Sequence, residues 1–146
     1  VLGGVEINYE FGLLGHSDGD VLLHAICDAI LGASSQGDIG SHFPPTEAAY
    51  KDISSLILLK RVAEMALERG FRIENIDATV VCENPRLAPY INEMKQKIAE
   101  CVGIDSERVS VKAKTTEGLG FEGEGRGIAA FAVALLTETK GEKYES

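Results

Sequence analysis

In the stretch from Asp20 to Leu31, DVLLHAICDAIL, apolar side chains fall on every turn a helix would make, and after the leading aspartate only His24 and Asp28 interrupt them. A helix that is apolar on nearly every side has no face to give to water, so it must be buried among other elements. Asp18 or Asp20 serves as its N-cap, because a short side-chain oxygen accepts the first unpaired backbone N–H groups, and Gly32 reads as its stop. The rest of the chain has to supply the layers that cover it. With 146 residues, 45% of them hydrophobic and 25% charged, the chain is one domain long and of ordinary globular composition, so a single fold over residues 1–146 is expected.

Charge and cysteine usage narrow the function. Fourteen basic against twenty-three acidic residues leave a formal charge of −9 with no basic cluster, so nucleic acid is not an expected partner. The apolar stretches are too short to cross a bilayer, and no membrane is expected. A small phosphorylated ligand would need its charge offset locally by backbone N–H groups, a few cations or bound metal. Cys27, Cys82 and Cys101 are odd in number and widely spaced, which fits neither a disulfide framework nor a zinc ribbon and points to a reducing compartment. The chain opens at Val1 without a charged-then-apolar leader, and the expectation is that upstream residues have been removed.

Val5 to Tyr9 alternates after Gly3-Gly4 and reads as a short strand. Residues 33–52, with Gly37, Gly40, Pro44 and Pro45, read as a long loop of the kind that carries function. Ile53 to Arg69 is a second helix, with Leu56, Leu59, Lys60, Ala63 and Leu67 at helical spacing and Gly70 at its stop. Ile76 to Val81 is a strand, Tyr90 to Val102 a third helix ending at Gly103, and Val109 to Lys114 an alternating strand. Five glycines from Gly118 to Gly127 lead into Ile128 to Leu136, which reads as an inner strand, and the tail from Lys140 is expected to fray. A β-α-β crossover with a neighbouring strand and two preceding helices predicts an α/β two-layer sandwich, a mixed β-sheet covered by helices on one face.

Three segments carry candidate chemistry, each beside a plainer reading. Asp20, His24 and Asp28 recur at i, i+4 and i+8 on one flank of a helix, which suits a metal-binding imidazole with carboxylates near it. The same residues also read as capping chemistry and a hydrogen-bonded core histidine, since zinc needs three or four protein ligands. Lys112 to Phe121, KAKTTEGLGF, ends a strand in hydroxyls and a carboxylate before a glycine-rich turn. That arrangement can present oxygens and backbone N–H groups to a phosphate, with Glu117 as a ligand for a magnesium- or manganese-type ion; alternatively the glycines serve only the turns. Glu83 to Pro89, ENPRLAP, follows a buried strand, and its prolines hold a loop rigid either for a nucleotide or simply as a connection to the next helix.

In combination and in this order, LLGHSDGDVLLHAICDAILGA (Leu13 to Ala33), GDIGSHFPPT (Gly37 to Thr46), ENPRLAPYI (Glu83 to Ile91) and VKAKTTEGLGFEGEGRGIAA (Val111 to Ala130) resemble the 2-C-methyl-D-erythritol 2,4-cyclodiphosphate synthase family. The resemblance spans nearly the whole chain. It implies a homotrimer with each active site shared between neighbouring subunits. It also implies an intramolecular reaction in which the 2-phosphate of 4-diphosphocytidyl-2-C-methyl-D-erythritol 2-phosphate attacks its own β-phosphate and releases CMP, in bacterial cytoplasm or plastid stroma. Catalysis of that kind rests on positioning and charge neutralisation. By position, the resemblance implies that His24 is a Zn²⁺ ligand and Glu117 the ligand of Mg²⁺ or Mn²⁺, with Thr115 polarising the diphosphate. His16, Ser17 and Asp28 would lie at the erythritol phosphate, Asp38 and Gly40 at the cytidine ribose of a neighbouring subunit, and Pro85, Arg86, Leu87 and Ala88 at the cytosine. Ala113, Lys114 and Phe121 complete the implied substrate-binding positions.

Three departures stand out. The family pairs its helical histidine with an Asp-x-His that this sequence lacks and that is expected upstream of Val1. Lys114 stands where a threonine is usual, adding a cation beside the phosphates. Glu124-Gly125-Arg126 reverses the expected Arg-x-Glu order. A trimeric module that binds cytidine nucleotides or isoprenoids without catalysis is the alternative expectation.

Overall fold

A computed structural model of the protein describes residues 1–7, 20–44, 46–50, 53–83, 86–115 and 127–139. Its first fixed point is Asp20. The carboxylate accepts from the Leu23 amide at 3.1 Å, capping helix α1 (Val21–Ala33), and from the amides of Gly3 and Gly4, each at 2.8 Å. Gly3 and Gly4 sit at φ +60° and +78° in a tight turn closed by mutual Leu2 and Val5 backbone bonds. A Cβ on Gly3 would lie 2.7 Å from Met94 Cγ, so both the dihedral and the space demand glycine there. Because their backbone groups are spent in this turn, Leu2 and Val5 form only an isolated bridge, and no strand starts at Val5 among the described residues; Tyr9 lies outside them.

Helix α1 buries Leu22, Leu23, Ile26, Cys27, Ile30 and Leu31, as its all-round apolar pattern requires. It runs through Gly32 instead of stopping there. Ser34, only 1% exposed, ends it by donating its hydroxyl to the Ile30 and Leu31 carbonyls at 2.9 and 3.2 Å. Within the expected loop, Asp38 caps a single turn, α2 (Ile39–His42). Helix α3 (Ser55–Glu68) buries Leu58, Leu59, Val62 and Ala66. The stripe inferred from spacing was rotated: Leu67 is 63% exposed and Lys60 faces solvent, because α3 turns its Leu58 and Leu59 side toward α1 and the sheet.

Strand β1 (Phe71–Val81) begins earlier than its apolar run. Arg72, Glu74 and Asn75 interrupt the alternation, and Glu74 ties the sheet surface together by accepting from Arg72, Arg108 and Thr137. Helix α4 (Ile91–Val102), introduced by a 3₁₀ turn at Ala88–Tyr90 and ended by Gly103 at φ +76°, crosses over to β2 (Val109–Lys114), parallel to β1. Strand β3 (Ala129–Glu138) pairs antiparallel with β1, giving the order β2-β1-β3 and a mixed sheet. Among the described residues β1 is therefore the inner strand and β3 an edge, contrary to the reading of β3 as inner. Its apolar run has a different cause. Ala130, Ala132, Ala134 and Leu136 pack toward the core, while Phe131, Val133 and Leu135 are 63%, 69% and 59% exposed on the other face. No described helix is long and apolar enough to cross a membrane.

Removing the Asp20 carboxylate strands buried amides at two points of the chain at once. Asp20→Ala is expected to lower unfolding free energy by about 3 kcal/mol in urea titrations, and Asp20→Asn, which keeps one acceptor, by less. Burial, reinforced by the charges of Asp28 and Asp20, pushes the Cys27 thiol up to about 12. Above pH 9 the unfolded chain loses this proton while the native chain keeps it, so stability should fall there by about 1.4 kcal/mol per pH unit on this account. The slope should become shallower in Cys27→Ala.

Candidate active site

Strands β1 and β2 end side by side, Val80 opposite Ala113 and Val81 opposite Lys114, and the Cys82 amide extends the pairing by donating to the Lys114 carbonyl at 3.0 Å. Beyond their ends opens a cavity of about 360 Å³ whose walls include Glu83, Arg86, Leu87, Ala88, Lys114 and Thr115, with Ala113 at its floor. A crevice beyond the carboxyl ends of parallel strands is where open α/β sheets receive ligands. Leu87 is 3% exposed and anchors its loop in the core, while Arg86 and Lys114 stay exposed as the cations of the rim. A carboxylate oxygen of Glu83, Oε2, is buried there with no hydrogen-bond partner among the described residues. No sequence pattern singled out Glu83, since its burial comes from the tertiary arrangement.

A second group gathers on α1. Asp20, expected to stand beside the imidazole, has both oxygens committed to backbone amides and caps the helix instead. His24 points its Nε2 at the Ser55 hydroxyl, 3.1 Å away at the start of α3. Asp28 accepts from the Ile39 amide at 2.9 Å, fastening α2 to α1, and Asp38 accepts from Ser41 at 2.9 Å. The loop carrying Asp38 and Gly40 is thus held from the helix that carries His24. Ser55 escaped the sequence reading because Ser54-Ser55 before an apolar helix reads as capping, and nothing in the chain announces a partner 31 residues away.

None of His24, Asp28, Asp38 and Gly40 lines the cavity beside β1 and β2. His16, Ser17, Pro85, Glu117 and Phe121 lie outside the described residues. Among the described residues no group of three His, Cys, Asp or Glu side chains is placed to hold a metal ion. The donor chemistry fits one ligand where Nε2–H donates to the Ser55 hydroxyl, since Nδ1 of His24 then keeps its lone pair for a cation. A larger cavity of about 700 Å³ opens at the opposite end of β1 beside Leu67, Phe71 and Ile104, where the charges of Arg72, Arg108 and Glu74 already answer one another.

The profile of the YgbB family matches residues 1–137. A 2-C-methyl-D-erythritol 2,4-cyclodiphosphate synthase of Syntrophomonas wolfei is 61% identical over 138 residues, 94% of this chain and 88% of that protein. Among solved structures, the bifunctional IspDF of Campylobacter jejuni superposes with a TM-score of 0.87 at 42% identity, over 94% of this chain and 37% of that one. The IspF of Plasmodium falciparum, in a CDP complex, superposes at 0.77 with 34% identity, over 94% of this chain and 82% of that one. The chain therefore spans about a third of the bifunctional protein and most of the other two.

Because Asp28 holds α2 through one backbone bond, Asp28→Ala should free that turn without unfolding the core. Amides around Ile39 to Phe43 are expected to exchange faster with deuterated solvent while the melting temperature stays nearly unchanged.

Proposed function

The chain belongs to the YgbB family of 2-C-methyl-D-erythritol 2,4-cyclodiphosphate synthases, and from that premise we propose how its residues divide the work. The activity is the conversion of 4-diphosphocytidyl-2-C-methyl-D-erythritol 2-phosphate to the 2,4-cyclodiphosphate with release of CMP, a lyase step of non-mevalonate isoprenoid synthesis. An oxygen of the 2-phosphate forms a bond to the β-phosphorus, and the bond from that phosphorus to the bridging oxygen breaks. CMP leaves with the bridging oxygen and its electron pair. Two phosphate groups of like charge must be pressed together, so the protein's task is alignment and charge neutralisation.

The observation that carries the assignment is the cavity beyond β1 and β2, which combines the loop anchored by Leu87 with two cations and a hydroxyl residue. The cytidine end enters this cavity, against the backbone of Pro85 to Ala88, in keeping with the CDP complex of the Plasmodium relative. Arg86 and Lys114 offset phosphate charge at its rim, and Thr115, at the end of β2, hydrogen-bonds the diphosphate. Ala113 and Phe121 border the substrate, while His16 and Ser17 take the erythritol phosphate. Asp28 serves the site by holding the turn that bears Asp38 and Gly40, the pair assigned to the ribose of a neighbouring subunit.

A homotrimer is supported by the outer face of β3. Phe131, Val133 and Leu135 each leave most of their apolar surface in water, and full burial of such side chains is worth roughly 1.5–3 kcal/mol apiece. Divalent ions, Zn²⁺ on His24 together with ligands outside the described residues and Mg²⁺ or Mn²⁺ on Glu117, supply positive charge that lets the phosphates approach. The three cysteines are thiols, which suits the reducing cytoplasm expected from the bacterial relatives.

Full-length protein given the diphosphocytidyl substrate with zinc and magnesium should release CMP and the cyclic diphosphate in equal amounts. Glu117→Gln should fold normally and turn over roughly a hundredfold more slowly. Wild-type turnover in that variant would remove the carboxylate from the mechanism. Saturable CDP binding by the parent protein without any CMP release would identify a non-catalytic binding module instead.

A further inference from the structure

We infer that Ser55 is a positioning residue that decides which nitrogen His24 offers to a divalent cation, an inference that rests on the metal role proposed for His24. Ser55 is the first residue of α3, yet neither it nor the N-cap Ser54 spends its hydroxyl on capping that helix. The Ser55 oxygen lies 3.1 Å from Nε2 of His24 across the contact between α1 and α3. A hydroxyl can donate or accept here, and the two choices have opposite consequences. If Ser55 donated, Nε2 would hold the lone pair and Nδ1 the proton, leaving no ring nitrogen for a cation. If Ser55 accepts from Nε2–H, the lone pair stays on Nδ1, which is then the single available ligand atom.

Metal-ligating histidines usually give their other N–H to an oxygen that fixes both tautomer and ring plane. Ser55 is well placed to do this because α1 and α3, which carry the pair, pack against each other and bury Ile26, Leu58 and Leu59 in the core. The hydroxyl accordingly orients the imidazole without touching substrate.

Long-range ¹H–¹⁵N spectra of the metal-free, full-length protein should show His24 as the Nε2–H tautomer; an Nδ1–H tautomer would overturn the inference. Zinc affinity, read by competition with a chromophoric chelator, should weaken roughly 10- to 100-fold in Ser55→Ala and stay near wild type in Ser55→Thr, which restores the hydroxyl. Undiminished affinity in Ser55→Ala would also overturn it. His24→Ala separates the two levels: unchanged zinc binding there strikes the metal role itself, whereas lost binding there beside wild-type affinity in Ser55→Ala strikes only the part given to Ser55.

Discussion

Two oxygens of one buried carboxylate connect the beginning of the described chain to its central helix. Asp20 answers one unpaired amide of α1, that of Leu23, and the two amides of the Gly3-Gly4 turn together, so the turn and the helix share one anchor. The turn can sit that close only because its glycines take positive φ and carry no side chain into Met94 or Leu56. Strands β1 and β3 and helices α2 and α3 pack against the helix fixed in this way. The core side of β3 lies along it, α3 pairs with it, and α2 hangs from it through Asp28. A helix apolar all round gains its burial only when every one of those layers is present, which makes the fold cooperative around α1.

The second constraint is the parallel pairing of β1 with β2. A parallel pair needs a crossover, and α4 supplies it, which forces both strands to finish at the same edge. The cavity lies at that edge. The cations of the rim, Arg86 and Lys114, then need only be placed near the ends of elements whose positions are already set. Leu87 shows how the loop keeps its shape: one side chain is sunk in the core while its neighbours face the cavity.

The same physics explains what was legible in the chain. Helix α4 and strand β2 were readable to their last residues because Gly103 and the strict alternation of Val109 to Lys114 are local signals with local causes. Gly32 misled because a helix stops where its carbonyls find other donors, and Ser34 provided one two residues on. Leu67 and the inner-strand reading of β3 misled for a related reason. Periodicity records that an element is apolar and not which neighbour covers it, so Phe131, Val133 and Leu135 look like core in sequence and stand in the open. Of the candidate site residues, His24, Asp28 and the 83–89 loop stand out as motifs, while Asp38 enters only with the family resemblance. The partners that give them roles, Ser55 and the Ile39 amide, are tertiary and left no trace at sequence distance.

A net charge of −9 is unfavourable for work on a polyphosphate, and the count says nothing of where the charges sit. Several acidic groups are spent before any ligand arrives: Asp20 on three backbone amides, Asp28 and Asp38 on one each, and Glu74 on Arg72, Arg108 and Thr137 far from the cavity. Each of these carboxylates already faces hydrogen-bond donors, so its field toward a ligand is partly offset at its source. Arg86 and Lys114, by contrast, line the cavity and are exposed to solvent. The net count therefore does not fix the sign felt at any one place on the surface, which depends on the few side chains nearest it.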